Sequence, residues 1–261
     1  MGSAIDTISG IARRAGKILL DHVGRVEHVE YKGAIDLVTE VDRMSEAFII
    51  AELSRAFPGD DILAEESGGT KRGSARRWIV DPLDGTVNFA HGFPFFCVSI
   101  ALEEDGEIVA AAIFDPNRDE LFTAEKGKGA ELNGSEMRVS NAAELEKSLV
   151  ATGFAYNVRQ EERLDNLDNF GNFIKRARAV RRPGSAAIDL AWTACGRIDG
   201  FWELFLKPWD IAAGVLLIRE AGGRVTSFDG GPIDIYGTQI LASNGLIHGE
   251  MMRVLMKTKE E

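Results

Sequence analysis

The chain has 261 residues, 45% hydrophobic and 27% charged, and carries a formal net charge of -11 at pH 7. That mixture suits a folded protein with a sizeable core and excludes a disordered polyelectrolyte, while the negative balance argues against a broad electrostatic surface for nucleic acid. Two cysteines make no disulfide framework, and the four histidines, His22, His28, His91 and His248, include no pair at metal-ligand spacing, which disfavours a histidine zinc site.

In chain order, the first predicted element is a helix over 4–20. Ile5, Ile8, Ile11, Ala12, Ala15, Ile18 and Leu19 recur at helical spacing, with Asp6, Arg13, Arg14 and Lys17 interleaved. This interruption is unlike the apolar stretch of a secretory signal, and no later run is long enough to span a bilayer. A cytoplasmic location with no membrane partner is the expectation. The loop Tyr31-Lys32-Gly33-Ala34-Ile35 leads into Asp36-Leu37-Val38-Thr39-Glu40-Val41-Asp42, which places Asp42 near the start of a second helix, where an ionised acid is favoured. Met44, Phe48, Ala51 and Phe57 are expected to mark that helix. Ile62-Leu63-Ala64 reads as a short strand ending in Glu65 and Glu66. The basic, glycine-rich residues 68–77 lack the ending of a Walker phosphate loop and read as a surface connection.

Trp78-Ile79-Val80 then forms an apolar strand expected to stop at Asp81, because Pro82 has no amide hydrogen to continue a ladder. Asp84 follows within the same turn, so both carboxylates can be aimed at one place. Gly85 permits positive φ, and Thr86 is expected to open a helical turn whose unpaired amides suit an anion. Strand signals at 96–102, 108–114 and 120–124, joined by turns such as Glu104-Asp105-Gly106, predict an antiparallel sheet. Beyond about residue 145, strand-like stretches at 149–152, 200–204, 224–228 and 239–242 alternate with helical ones, so the second half reads as α/β. No repeat or linker divides the chain. The expectation is one compact domain over 1–261, with approximate subdomains 1–144 and 145–261.

Cys97, in an apolar run, and Cys195, in a predicted helix, read as small core residues. Lys175, Arg176, Arg178, Arg181 and Arg182 fall on a predicted helix and its exit and read as a solvated face or subunit contact. Gly184-Ser185 is suited to starting a helix. Asp210 heads another, which runs through Ile211, Val215, Leu216 and Ile218 to a Gly222-Gly223 cap.

Three element edges thus end in acid: Glu65, the pair Asp81 and Asp84, and Asp210. Two carboxylates about 4 Å apart repel by about 4 kcal/mol at an effective dielectric of about 20, so these four can share a pocket only if protons or a cation compensate. Hard oxygen donors favour magnesium or manganese over zinc or copper.

With these acids in place, the sequence resembles the inositol monophosphatases, within the magnesium-dependent, lithium-sensitive sugar phosphatases. The resemblance covers nearly the whole chain. It rests on residues 36–42, Ala64-Glu65-Glu66-Ser67, Asp81-Pro82-Leu83-Asp84-Gly85-Thr86-Val87-Asn88-Phe89, Gly184-Ser185-Ala186-Ala187 and Pro208-Trp209-Asp210-Ile211-Ala212-Ala213-Gly214. It implies an α+β and α/β architecture, a layered α-β-α-β-α sandwich with the metals between two sheets. It implies that Glu65, Asp81 and the Leu83 carbonyl hold one Mg2+, that Asp81, Asp84 and Asp210 hold a second, and that Glu65 contributes to a weaker third. Mn2+ would substitute.

Asp42 and Thr86 then look like the pair that orients the attacking water, with Glu65 also in a catalytic role. Asp84, Gly85, Thr86, Gly184, Ser185, Ala186, Glu203 and Asp210 would bind substrate, Glu203 through a polyol hydroxyl, and Lys32 would touch phosphate or water from a loop that closes over the metals. The implied reaction is hydrolysis of a phosphate monoester, first myo-inositol 1-phosphate, by a metal-activated water without a phosphoenzyme. Fructose 1,6-bisphosphate, with Arg181 or a partner-subunit arginine serving the second phosphate, and a nucleotide 3'-phosphate are the alternative substrates. Glu203 favours a polyol. Homodimerisation is the family expectation, and some bacterial relatives act in transcription antitermination, which makes a transcription factor the alternative partner.

Overall fold

The computed structural model describes residues 3–24, 29–31, 37–154 and 166–257. Helices α1 (Ala4–His22) and α2 (Glu40–Ala56) are separated in sequence by a short antiparallel pair, β1 (Val29–Tyr31) and β2 (Leu37–Thr39). A seven-stranded sheet follows in chain order: β3 (Asp61–Ala64), β4 (Arg76–Asp84), β5 (Cys97–Glu104), β6 (Glu107–Asp115), β7 (Glu120–Glu125), β8 (Gly129–Leu132) and β9 (Ser135–Glu136). The short helix α3 (Thr86–Ala90) lies between β4 and β5. The later part contains β10 (Leu149–Thr152), α4 (Leu167–Ile174), β11 (Ala179–Arg181), α5 (Ala186–Ala194), β12 (Gly200–Leu204), α6 (Pro208–Glu220), β13 (Arg224–Thr226), β14 (Gln239–Ser243) and α7 (His248–Lys257). Its five strands pair in the order β11-β10-β12-β14-β13.

Alternating side chains divide the core into layers. On one face of the large sheet, Trp78, Val80, Val98, Ile100, Ala112 and Phe114 pack with Ile8, Ile11, Ala15 and Leu19 of α1 and Ile49 and Leu53 of α2. On the other face, Ile79, Cys97, Ala101, Ala111 and Ile113 pack with α5 and α6, in the same core as Ala151, Phe201, Ile240 and Ala242 of the second sheet. Val150, Trp202 and Leu241, on that sheet's outer face, pack with Phe173 of α4 and Met251, Val254 and Leu255 of α7. The layers therefore run α-β-α-β-α. Burying one such large aliphatic or aromatic side chain stabilises the fold by roughly 1.5–3 kcal/mol relative to leaving it exposed.

Several sequence expectations need correction. The strands expected at 96–102, 108–114 and 120–124 do pair antiparallel, but the large sheet as a whole is mixed, because β3 and β4 are parallel while its other pairs are antiparallel; the connection 65–75 returns the chain before β4 begins. β4 does not stop at Asp81. Pairing with β5 holds at Asp81 and resumes at Asp84, so Pro82 and Leu83 lie in a bulge where the missing proline donor costs the ladder nothing. Arg76 and Arg77 belong to β4 instead of the preceding connection. The basic cluster begins after α4 has ended at Ile174 and runs to the edge strand β11, while Cys195 caps α5 from just beyond its end.

The face of α2 departs most from expectation. Met44 and Ala51 are exposed and Phe48 is half-buried, whereas Val41, Asp42, Ser45, Glu46, Ile49 and Leu53 are buried. Apolar spacing located this helix but missed its inward face, because Asp42, Ser45 and Glu46 spend that face on hydrogen bonds to neighbouring segments. Among the described residues, no helix is long and apolar enough to cross a membrane.

Candidate functional site

The acids converge because several element ends meet. In the parallel pair β3 and β4, Ala64 stands beside Val80, so Glu65, just past the end of β3, and Asp81, at the β4 bulge, come at the same level. Asp81 Oδ1 accepts from the Leu83 amide at 3.0 Å within the bulge. Gly85 follows with φ 98°, in the left-handed region that favours glycine. A Cβ there would also stand 2.9 Å from the Phe95 carbonyl oxygen. Thr86 then opens α3.

Asp84 reaches the start of α5. Its Oδ2 accepts from the Ser185 hydroxyl at 2.6 Å and from the Ala187 amide at 2.7 Å. Unpaired amides at a helix start favour an anion, and here the chain supplies one of its own. Ser185 also accepts from the Ile188 amide at 3.4 Å, so Gly184-Ser185 does start a helix. Asp210, in the first turn of α6, accepts from the Lys207 amide at 2.6 Å.

Asp81, Asp84 and Asp210 each contribute an oxygen to a group whose members lie within 4.8 Å of one another. Burial pushes all three carboxyls upward. Asp81 is raised well above the ordinary range, with Glu65, Asp84 and Asp210 adding to burial. Asp84 is pushed up to about 6 by burial, against the bonds from Ser185 and Ala187. Asp210 reaches about 7 through burial and then the charge of Asp84. Carboxylate oxygens that are partly desolvated and repel one another form a donor set suited to a hard divalent cation. Glu65 is close enough to act on Asp81 electrostatically, although it is not part of the three-acid group.

Asp42 lies in a different environment. It is fully buried, and its Oδ2 accepts from the Thr39 amide at 2.8 Å and the Thr39 hydroxyl at 2.5 Å. The Thr86 hydroxyl lies 3.0 Å from Asp42 Oδ1 and 3.2 Å from the Leu83 carbonyl oxygen, two acceptors for its one hydrogen. Burial raises the Asp42 carboxyl, and the bonds from Thr39 and Thr86 oppose that rise. Thr39 and Asp42 form a capping box on α2. The spacing Thr39-x-x-Asp42 carried that signal in the sequence and was not used.

Glu203 shares its face of β12 with Phe201, which packs in the middle layer. It is 7% exposed, not an exposed strand charge, and burial lifts its carboxyl well above the ordinary range, with Asp210 and Asp84 adding and Arg182 opposing. Gly153 makes room for it, since a Cβ there would fall 2.3 Å from a Glu203 oxygen. Asn88 ties two loops together by donating to the Phe95 carbonyl at 2.7 Å and the Pro183 carbonyl at 2.9 Å. Asp189, buried on α5, has an Oδ1 without a hydrogen-bond partner among the described residues, and burial raises its carboxyl, followed by the charge of Glu203. Sequence reasoning singled out neither Gly153 nor Asp189. Arg181 is exposed and donates to the Val180 carbonyl at 3.2 Å. Lys32 and His28 lie outside the described residues.

Known proteins share this arrangement of elements. The family model described as inositol monophosphatase matches residues 3–260. A Nus factor SuhB of Xylella fastidiosa is 46% identical over 229 residues, spanning 87% of this chain and 82% of its own. An inositol-1-monophosphatase of Synechocystis is 45% identical over 252 residues, spanning 94% of this chain and 86% of its own. The solved structure of extragenic suppressor protein suhB from Bartonella henselae matches with a TM-score of 0.92 at 43% identity, over 98% of this chain and 99% of that one. Fold, acidic site and sequence together show that the chain belongs to the inositol monophosphatase family.

Proposed function

We propose that this chain hydrolyses the phosphate monoester of a polyol, with myo-inositol 1-phosphate as its first substrate and Mg2+ as its cofactor. The convergence of Asp81, Asp84 and Asp210 to within 4.8 Å of one another carries this reading. Those three acids would hold one ion, and Glu65, Asp81 and the Leu83 carbonyl another. Glu65 would contribute to a weaker third, and Mn2+ would substitute. When bound, the cations supply positive charge to the phosphate oxygens and acidity to the attacking water.

The chain's own groups orient the reaction. With its hydrogen directed to Asp42, the Thr86 hydroxyl presents a lone pair to water, and a proton passed along this path ends at the Asp42 carboxylate. The Thr39 amide and hydroxyl hold that carboxylate in place. Gly85, Thr86, Gly184, Ser185 and Ala186 line the phosphate and sugar positions in this reading, and Glu203 accepts from a ring hydroxyl. Cys97 is no competing nucleophile: it is fully buried, and burial followed by Asp84 and Asp81 raises its thiol well above the usual range.

Phosphate release from inositol 1-phosphate, fructose 1,6-bisphosphate, glycerol 2-phosphate and adenosine 3',5'-bisphosphate tests the assignment. Inositol 1-phosphate is expected to turn over fastest, to need Mg2+ and to be inhibited by millimolar lithium. Failure of Mg2+ to support release from any of the four would overturn it. The name Nus factor carried by a 46% identical relative favours a second reading, in which the protein also docks on a transcription factor. Capture of transcription factors that persists in Asp84→Asn would support docking independent of catalysis; no capture by either protein would remove that reading.

A further inference from the structure

We propose that Glu46 is a positioning residue for the metal site, holding the turn that carries Glu65 beside Asp81. This rests on the reading of these acids as metal ligands. Glu46 lies on α2 and is 3% exposed. Its Oε2 accepts from the Glu66 amide at 2.7 Å and its Oε1 from the Ser67 amide at 2.8 Å. Both oxygens of one buried carboxylate therefore grip the two amides that immediately follow Glu65. Such charge-assisted bonds are stronger than neutral ones.

The other side of Glu65 is fixed by the sheet. Ala64 is in register with Val80, and its carbonyl accepts from the Gly68 amide at 3.1 Å. Repulsion between Glu65 and Asp81 tends to open the turn, and Glu46 opposes that opening from behind. Two other contacts show the same design. At 42, 45 and 46, α2 presents three residues on one face. Asp42 accepts from Thr86, Ser45 donates to the Pro82 carbonyl at 2.9 Å within the β4 bulge, and Glu46 holds the turn after Glu65. A single helix face thus sets the relative positions of three ligand-bearing or water-orienting segments.

The substitution Glu46→Gln replaces one acceptor oxygen by an NH2 group, leaving one amide opposed by a donor. Glu46→Asp keeps the charge but shortens the reach by one methylene. Mg2+ titrated calorimetrically into metal-free protein should bind each variant about 10- to 100-fold more weakly than wild type. The Mg2+ concentration for half-maximal phosphate release should rise in parallel, while turnover recovers at saturating Mg2+. Ile49→Val, buried on the same helix, is the control: it should lower the melting temperature and leave the titration unchanged.

Wild-type Mg2+ affinity in either folded Glu46 variant would overturn the proposal. So would equal weakening in Ile49→Val, or loss of folding in both Glu46 variants, which would make Glu46 a purely structural residue. Wild-type protein that takes up no Mg2+ would instead remove the metal reading on which the proposal stands.

Discussion

Asp42 and the group Asp81, Asp84 and Asp210 are two settings for buried acid, and their charge is met in opposite ways. Around Asp42, three donations from Thr39 and Thr86 work against burial, and burial is the main cause that raises it. Each acid in the group has its own donor, from Leu83, Ser185 or Lys207, yet Asp81 and Asp210 are still raised by neighbouring carboxylates. Hydrogen bonds offset part of the desolvation of a buried charge; they do not cancel repulsion among several. The first setting suits a fixed proton acceptor and the second a cation.

Asp81→Asn is the most severe way to break this contrast. Magnesium-dependent turnover should fall by about a thousandfold, as when a centre that stabilises charge in the transition state is removed. The metal-free variant should melt no lower than wild type, since one repelling charge has gone. Near wild-type rates would mean that the three acids are only tolerated neighbours. Thr86→Ala tests the other setting. Turnover should drop by about a hundredfold or more, with KM changed far less. Equal losses in turnover and substrate binding would deny Thr86 a role in orienting water.

His248 extends the contrast to a base. It is fully buried, with Nε2 2.9 Å from the Thr226 hydroxyl and Nδ1 2.8 Å from the Ser243 hydroxyl, partners that suit a neutral ring. Burial, followed by Arg224, lowers its pKa from 6.5 to about 4. Below pH of about 6.5 the unfolded chain therefore takes up a proton that the folded ring refuses until pH reaches about 4. Stability present in full above the upper value is lost across this window, by as much as about 3 kcal/mol. The buried acids with raised pKa act in the opposite sense, gaining stability as pH falls, so the contribution is read as the difference between wild type and His248→Asn in urea unfolding from pH 7 to pH 4. A difference that does not change with pH would show that His248 is protonated as readily in the folded state as in the unfolded.

Legibility in the sequence followed the chemistry. Trp78-Ile79-Val80 and the acids after it marked a strand edge, and periodicity placed α1, because in both places apolar spacing and burial coincide. The layered fold came from resemblance, since spacing alone does not say which sheet face meets which helix. On α2 the apolar pattern misled. Its inward face holds Asp42, Ser45 and Glu46, whose partners lie in other segments and leave no periodic trace. Gly153 was invisible for a similar reason: its meaning is the space taken by Glu203, which comes from another strand. The capping box of Thr39 and Asp42 was local and could have been read.

Glu203 supplies the smallest expected effect and a third way to meet buried charge. Among the described residues no hydrogen-bond donor reaches its carboxylate, in contrast to Asp42, and it is not one of the three clustered acids. In the proposed reaction a ring hydroxyl is the missing donor. Glu203→Gln keeps the shape and one acceptor but exchanges a charged hydrogen bond for a neutral one. The difference is about 1.4 kcal/mol, so KM for inositol 1-phosphate should rise about tenfold with turnover nearly unchanged. For fructose 1,6-bisphosphate the same substitution removes repulsion from the second phosphate, and KM should fall or stay level. A parallel rise for both substrates would indicate damage to the shared phosphate site, whereas opposite shifts would locate sugar recognition at Glu203 and leave the three-acid group to the phosphate.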